Sequence, residues 1–83
     1  MGEHEIVNRM PELRARHRLT QQALAAQVGV ARQTIVAIEK GQYNPSLLLA
    51  FKIAHCLGEP LEAVFQFVPP QPQPAAQPDP APA

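Results

Sequence analysis

The sequence lacks tryptophan, contains a single cysteine, and has no apolar run long enough to cross a membrane. A single cysteine cannot form a disulfide within its own chain, so a fold stabilised by internal disulfides is excluded. A membrane-spanning helix needs about 20 consecutive apolar residues, and none of the apolar stretches approaches that length. No stretch has the pattern of a signal peptide. We therefore expect a cytoplasmic protein.

The sequence is also poor in residues that could form a catalytic or metal centre. The histidines His4, His17 and His55 are scattered along the chain. His55 and Cys56 are adjacent, so on a helix they point about 100° apart. No pair has the spacing of metal ligands, and no glycine-rich phosphate loop is present. An enzyme is thus the weaker alternative, and we expect no catalytic residue, metal, cofactor or small-molecule ligand.

Proline is unevenly distributed, and this divides the chain in two. Residues 69–83, PPQPQPAAQPDPAPA, hold seven of the ten prolines and no large apolar side chain. Such a composition favours an extended, disordered tail. We predict one folded domain over residues 1–68. Because a core of this size is marginal, association with a second copy is a reasonable expectation.

Although the net charge is zero, the acidic and basic residues are unevenly distributed along the chain. All seven lysines and arginines lie between Arg9 and Lys52, a span that holds only Glu12 and Glu39 as acids, so its net charge is +5. The flanking segments carry the other acids and no lysine or arginine. Local potential governs association more than the total does, so the basic centre is compatible with a nucleic-acid partner.

The stretch from Gln21 to Glu39 has the pattern of two short helices joined by a tight turn. Residues 21–28 and 32–40 carry apolar side chains at helical spacing, and Gly29 between them tolerates the positive φ at which helices often end. A small residue at Ala25 allows two helices to cross closely. The apolar positions are Leu24, Ala25, Val28, Ile35 and Ile38. This arrangement predicts a helix-turn-helix.

Three further helices are predicted, at residues 9–17, 47–57 and 60–64, which makes the fold an all-α bundle of five helices. Asn8, Thr20 and Ser46 are suitable N-caps, whereas Ala31 offers no side-chain oxygen to the helix that follows it. The helix at 47–57 is apolar nearly all round, with only Leu48, Lys52 and His55 as an outer face, so we expect it to be central and buried. Residues 5–7 and 65–68 are either two short strands that pair antiparallel or an irregular apolar flap.

The sequence resembles the phage repressor and Cro class of transcriptional regulators, the Xre family, over about residues 6–68. The matching residues are Gln21, Leu24-Ala25, Gly29-Val30, Arg32-Gln33-Thr34-Ile35, Ile38-Glu39, Gly41, Tyr43-Asn44-Pro45-Ser46-Leu47 and Lys52-Ile53-Ala54. The run RQTIVAIEKGQYNPSL is especially similar to a compact subgroup of bacterial regulators that includes the enterococcal cytolysin repressor. Ala31, Leu48 and the proline-rich tail depart from the family pattern.

This resemblance implies a homodimeric, sequence-specific regulator, most often a repressor, that binds a double-stranded DNA operator. The second helix of the motif would enter the major groove, where Arg32 and Gln33 suit base edges and Val36 and Ala37 suit thymine methyl groups. The residues expected to contact phosphates are Gln21, Thr34, Lys40, Gln42, Tyr43 and Asn44. Those expected at the dimer interface are Leu61, Val64, Phe65, Phe67 and Leu48.

Alternatives stay open for several of these residues. Val36 is either a groove contact or plain apolar surface, and Tyr43 either packs over its loop or gives its hydroxyl to a phosphate. Asn44, which precedes a proline, is also a turn former. Glu39 is expected to tie its helix to a neighbouring arginine or to loop amides.

At the level of function, an antitoxin with the same fold, binding DNA and a protein toxin, is the alternative, although no sizeable apolar segment follows Val68.

Overall fold

The computed structural model describes residues 5–69, which form five helices and two short strands. In chain order the elements are β1 (Ile6–Asn8), α1 (Met10–Arg16), α2 (Gln21–Val28), α3 (Arg32–Glu39), α4 (Leu47–Leu57), α5 (Leu61–Val64) and β2 (Phe65–Phe67). The five-helix architecture predicted from the sequence is thus confirmed. Apart from Pro69, the predicted tail lies outside the described residues.

The helix starts follow the capping chemistry of the sequence. The Thr20 hydroxyl accepts a hydrogen bond from the amide of Ala23 at 2.9 Å, and the Ser46 hydroxyl accepts one from the amide of Leu49 at 3.1 Å. As expected, Ala31 precedes α3 without a side-chain cap. Four helix bounds differ by one residue: α1 covers Met10–Arg16 rather than residues 9–17, α3 ends at Glu39 rather than residue 40, and α5 begins after Pro60 rather than at it.

Gly29 makes the turn between α2 and α3. Its φ is 80°, in the left-handed region, and its amide donates to the carbonyl of Ala25 at 2.9 Å. The amide of Val30 donates to the same carbonyl at 3.0 Å. Because the left-handed region favours glycine, this residue allows α2 to stop and α3 to cross it closely.

The core lies where α1 to α5 meet. Its fully buried members come from every helix, and the largest are Met10, Leu13, Leu24, Ile35, Ile38, Ile53, Leu57 and Val64. The prediction that α4 is buried nearly all round is wrong, because Leu47 and Phe51 are 70% and 52% exposed. α4 packs on α2 and α5 and leaves Leu47, Leu48 and Phe51 exposed.

The two strands form an antiparallel pair in which Ile6 faces Phe67 and Asn8 faces Phe65. This confirms the strand pair rather than the irregular flap. Immediately after β1, the amide of Arg9 donates to the carbonyl of Val64 at 2.9 Å, which extends the connection to α5. The two ends of the described chain are therefore joined on one side of the bundle.

Asn8 links this sheet to the end of α3. Its amide nitrogen donates to the carbonyl of Ile38 at 3.0 Å and lies 3.5 Å from that of Glu39. Its amide oxygen accepts from the amide of Met10, the first residue of α1, at 3.1 Å. Asn8 is not the N-cap that the sequence predicted, because α1 begins one residue later and Arg9 is its N-cap, without a side-chain hydrogen bond. One side chain thereby satisfies free backbone groups at a helix start and a helix end.

We expect Asn8→Ala to lower the free energy of unfolding by about 1–3 kcal/mol, because it leaves backbone groups without partners. Asn8→Asp keeps the acceptor for α1 but cannot donate to α3, and we expect it to be destabilised at least as much. Urea unfolding at equal protein concentration measures both. The exposed Gln42, which makes no side-chain hydrogen bond within residues 5–69, supplies the control Gln42→Ala, with a change below about 0.5 kcal/mol. Wild-type stability of Asn8→Asp would show that the bond to α3 contributes nothing.

Candidate nucleic-acid interface

The start of α3 is open to solvent on the side away from the core. Arg32 and Gln33 are exposed, and Val36 and Ala37, one turn later, are half-buried. The opposite side of the helix packs inward through Ile35 and Ile38. Since a helix presents positions three and four apart on one face, all the residues predicted to meet bases are accessible from outside.

The residues predicted to contact phosphates fall into two groups. Lys40, Gln42, Tyr43 and Asn44 are exposed in the loop after α3, and the Tyr43 ring is 48% exposed. Thr34 is half-buried within α3, and Gln21 is half-buried at the start of α2. The polar groups of the loop are therefore open to solvent, whereas Thr34 and Gln21 are only partly accessible.

A partly buried ion pair holds the far end of α3. The Arg14 guanidinium donates to the two Glu39 carboxylate oxygens through Nε at 2.6 Å and Nη2 at 3.1 Å. A third donor of Arg14, Nη1, bonds to the carbonyl of Leu19 at 2.9 Å. The Glu39 side chain is 7% exposed. The predicted tie between Glu39 and an arginine is confirmed, and its partner is Arg14.

Gln21 extends this network to the start of α3. Its Nε2 donates to Glu39 Oε1 at 3.0 Å, and its Oε1 accepts from Arg32 Nη2 at 3.2 Å. Sequence reasoning missed this bridge. Gln21 and Arg32 each open a helix and are 11 residues apart, so they meet only through the packing of α2 on α3, which the sequence did not indicate.

Acids neutralise part of the positive charge at α1, whereas the basic side chains of the helix-turn-helix motif have no acid partner in the described chain. Arg9 pairs with Glu12 at 2.6 Å, and Arg16 lies 3.7 Å from Glu59. The hydrogen bond and charge of Arg9 lower the pKa of the Glu12 carboxyl. In contrast, no acid of residues 5–69 lies within ion-pair distance of the remaining basic side chains, Arg18, Arg32, Lys40 and Lys52.

Burial raises the pKa of the Cys56 thiol, which disfavours the reactive thiolate, and its Sγ donates to Gln27 Oε1 at 2.8 Å. Residues 5–69 contain no group of three histidines, cysteines or acids that could hold a metal. Over the same residues, none of the helices has both the length and the apolar composition required to cross a bilayer.

A second surface is apolar, and we call the four most exposed side chains on it the apolar face: Leu47, Leu48, Phe51 and Phe67. Beside it lies an open groove of about 610 Å³ between α4, α5 and β2, lined in part by Leu61 and Phe65. Of the predicted dimer contacts, Val64 is fully buried within its own chain, so it cannot meet a partner and its inclusion was wrong. Leu47 and Phe51, which the sequence analysis did not place on the outer face of α4, are also exposed, and Phe51 lies four residues after Leu47 and three after Leu48.

Comparison with known proteins is consistent with this geometry. A profile of the helix-turn-helix family HTH_3 matches residues 12–64. An uncharacterized HTH-type transcriptional regulator of Methanocaldococcus jannaschii is 57% identical over 58 residues, which cover 70% of this chain and 88% of that protein. The restriction-modification controller protein C.AhdI from Aeromonas hydrophila superposes with a TM-score of 0.63 and 34% identity, over 66% of this chain and 83% of that one.

One further superposition involves a longer chain. FeII HppE in complex with substrate matches with a TM-score of 0.61 and 29% identity, over 65% of this chain but only 32% of that one. The shared part is thus a minor portion of that protein. These similarities extend to the broad family, and the similarity to the cytolysin repressor subgroup stays a prediction.

We expect Glu39→Ala to lower the free energy of unfolding by about 3 kcal/mol, because Arg14 would be left partly buried without its carboxylate. Urea unfolding followed by circular dichroism measures the loss. Glu12→Ala, which removes the exposed partner of Arg9, is the matched control and should leave stability unchanged within error. Equal effects of the two substitutions would contradict a special role for the partly buried pair.

Proposed function

Because this chain belongs to the helix-turn-helix family of transcriptional regulators, we propose that it is a sequence-specific DNA-binding repressor that acts as a homodimer with α3 in the major groove. The observation that carries the proposal is the exposed start of α3, which projects Arg32 and Gln33 from a helix whose other side is fixed in the core. An operator on the chromosome would place the protein in the cytoplasm, at the nucleoid when bound.

Base reading in this proposal falls to four residues of α3. The Arg32 guanidinium has the fork of donors that matches O6 and N7 of guanine, and the Gln33 amide matches N6 and N7 of adenine. Val36 and Ala37 are apolar and partly accessible one turn later, so they suit thymine methyl groups. Each contact depends on how deeply α3 enters the groove.

Phosphate contacts fix the register of the protein and carry little sequence information. The half-buried Thr34 of α3 and four exposed residues of the following loop, Lys40, Gln42, Tyr43 and Asn44, are proposed for this role. Lys40 has no acid partner among residues 5–69, so its charge is available to a phosphate. Gln21, also predicted from the sequence to contact a phosphate, has both ends of its side-chain amide occupied by Glu39 and Arg32.

The apolar face supports the homodimer. Leu47, Leu48 and Phe67 are each about two-thirds exposed, at 70%, 66% and 67%. Exposed apolar side chains clustered in this way usually mark an interface. Leu61 and Phe65, which help to line the adjoining groove, would extend the apolar surface that a second copy covers in a two-fold interface. Two copies would present their α3 helices to half-sites about 34 Å apart.

No contact within residues 5–69 favours the antitoxin alternative, which requires a surface for a protein toxin in addition to the dimer contacts. In the proposed homodimer, the second copy would cover the apolar face. The regulator is therefore the single function that we propose.

The base-reading role is tested by Arg32→Ala. We expect it to weaken binding to the selected operator by about 1–3 kcal/mol and to relax the preference at one base position, because the guanine-reading donors are lost. Selection from random duplexes defines the operator, and competition binding measures the loss. Arg16→Ala removes an exposed arginine on α1 and should leave base preference unchanged. Equal weakening on all sequences after Arg32→Ala would contradict base reading.

The dimer is tested by light scattering at micromolar concentration. We expect the wild type to be dimeric and Leu48→Glu to be monomeric with unchanged helical circular dichroism, because a carboxylate would be buried unpaired in the interface. Ala26→Glu adds the same charge at an exposed position of α2 and should stay dimeric. A monomeric wild type would overturn the homodimer, and a dimeric Leu48→Glu would place the interface elsewhere.

A further inference from the structure

The helices α1 to α4 all end in the same way. One residue after each helix adopts a left-handed backbone, and the amide that follows it donates to the carbonyl five positions earlier at 2.9–3.0 Å. After α2, α3 and α4 this residue is a glycine, with φ of 80°, 75° and 69° at Gly29, Gly41 and Gly58. After α1 it is Arg18, with φ of 56°. Within residues 5–69, Arg18 is the one residue other than glycine with a positive φ.

An arginine at this position destabilises the fold. The left-handed region brings Cβ close to the following carbonyl oxygen, a strain that glycine avoids. The hydrogen bonds that end α1 use backbone groups alone. The amide of Arg18 donates to the carbonyl of Ala15 at 3.1 Å, and the amide of Leu19 donates to that of Arg14 at 2.9 Å. Glycine would make the same bonds without strain, so the backbone geometry gives no reason for an arginine here.

The side chain of Arg18 also has no partner within the described chain. It is exposed and makes none of the side-chain hydrogen bonds or ion pairs of residues 5–69. The other arginines near it, Arg9, Arg14 and Arg16, each face a glutamate. A residue kept at a strained position without an internal contact indicates a contact outside the protein.

Arg18 lies near the surface proposed to face DNA. It precedes Gln21, the first residue of α2, by three positions, so the Cα atoms of the two residues are at most about 11 Å apart. The side chain of Gln21 reaches the start of α3, where its Oε1 accepts from Arg32 Nη2 at 3.2 Å. The major groove is about 12 Å wide and is bordered by phosphates on both sides. A positive charge at this distance from α3 therefore lies near the DNA backbone when α3 is in the groove.

We propose that Arg18 is a further DNA-binding residue, which contacts a backbone phosphate from the turn between α1 and α2. The fork of donors on a guanidinium matches the oxygens of a phosphate. Such a contact adds affinity without base preference, because it meets the backbone alone. The arginine thus stabilises the complex with DNA and destabilises the free fold. The inference rests on the proposed function, because it adds a contact to the same interface.

Arg18→Gly tests this inference because its two expected effects have opposite signs. We expect the melting temperature to rise by about 2–6 °C at equal protein concentration, since the strain after α1 is removed. We expect operator binding to weaken and the slope of log K against log salt concentration to become shallower by about 0.9 for each protomer. The loss of affinity should then be about 3.5-fold larger per protomer at 0.05 M than at 0.2 M salt. Base preference should stay unchanged.

Two variants of the full chain are the controls. Arg18→Lys keeps a positive charge at the same left-handed position, so its salt slope should match that of the wild type and its melting temperature should not rise. Arg16→Ala removes an equal charge two residues earlier, from the arginine that lies 3.7 Å from Glu59. It should leave the salt slope unchanged.

The outcomes separate the inference from the proposed function. If Arg18→Gly keeps the wild-type salt slope, or if Arg16→Ala changes the slope as much, Arg18 makes no phosphate contact of its own and the inference fails alone. A melting temperature that does not rise in Arg18→Gly would show that the arginine serves the fold, which also overturns the inference. If the wild type prefers no sequence among random duplexes, the proposed function itself fails.

Discussion

The ion pair between Arg14 and Glu39 joins the part of the chain that builds the core to the part that faces the proposed operator. A partly buried pair of this kind adds little net stability, because desolvation of the two charges offsets most of their attraction. Its larger contribution here is geometric. Every oxygen of the carboxylate is occupied, by Arg14 from one side and by Gln21 from the other, so the end of α3 has one arrangement relative to α1 and α2. A fully satisfied polar network specifies a single geometry more sharply than apolar contacts alone.

The size of the domain explains why its two candidate surfaces lie on helix faces. A short chain has too few helices and strands to surround any one helix on all sides, so each helix buries one side and exposes the other. α3 buries Ile35 and Ile38 and exposes the residues that would meet DNA, whereas α4 buries Ile53 and Leu57 and exposes Leu47 and Leu48. Polar residues on the first open side suit a duplex, and apolar residues on the second suit a copy of the same chain.

The electrostatic organisation follows the same division. The arginines of α1 are largely paired with acids. The opposite charges that make the whole chain neutral therefore cancel mainly outside the helix-turn-helix motif. Arg32 and Lys40, at the two ends of α3, have no acid partner in the described chain. A phosphate backbone responds to such local potential rather than to the total, and binding that depends on it weakens as salt is added. Membership of a family of regulators is thus compatible with a neutral chain.

The amino-acid sequence by itself determined the helices, their caps at Thr20 and Ser46, the turn at Gly29 and the family, because these depend on neighbours within a few positions. It also indicated which residues of α3 lie outward, since helical spacing separates them from Ile35 and Ile38. Only the tertiary structure decided that Val64 is buried, that Leu47 and Phe51 are open, and that Gln21 meets Arg32. Those outcomes depend on which face each helix turns towards the others, a choice made by packing between residues distant in the chain.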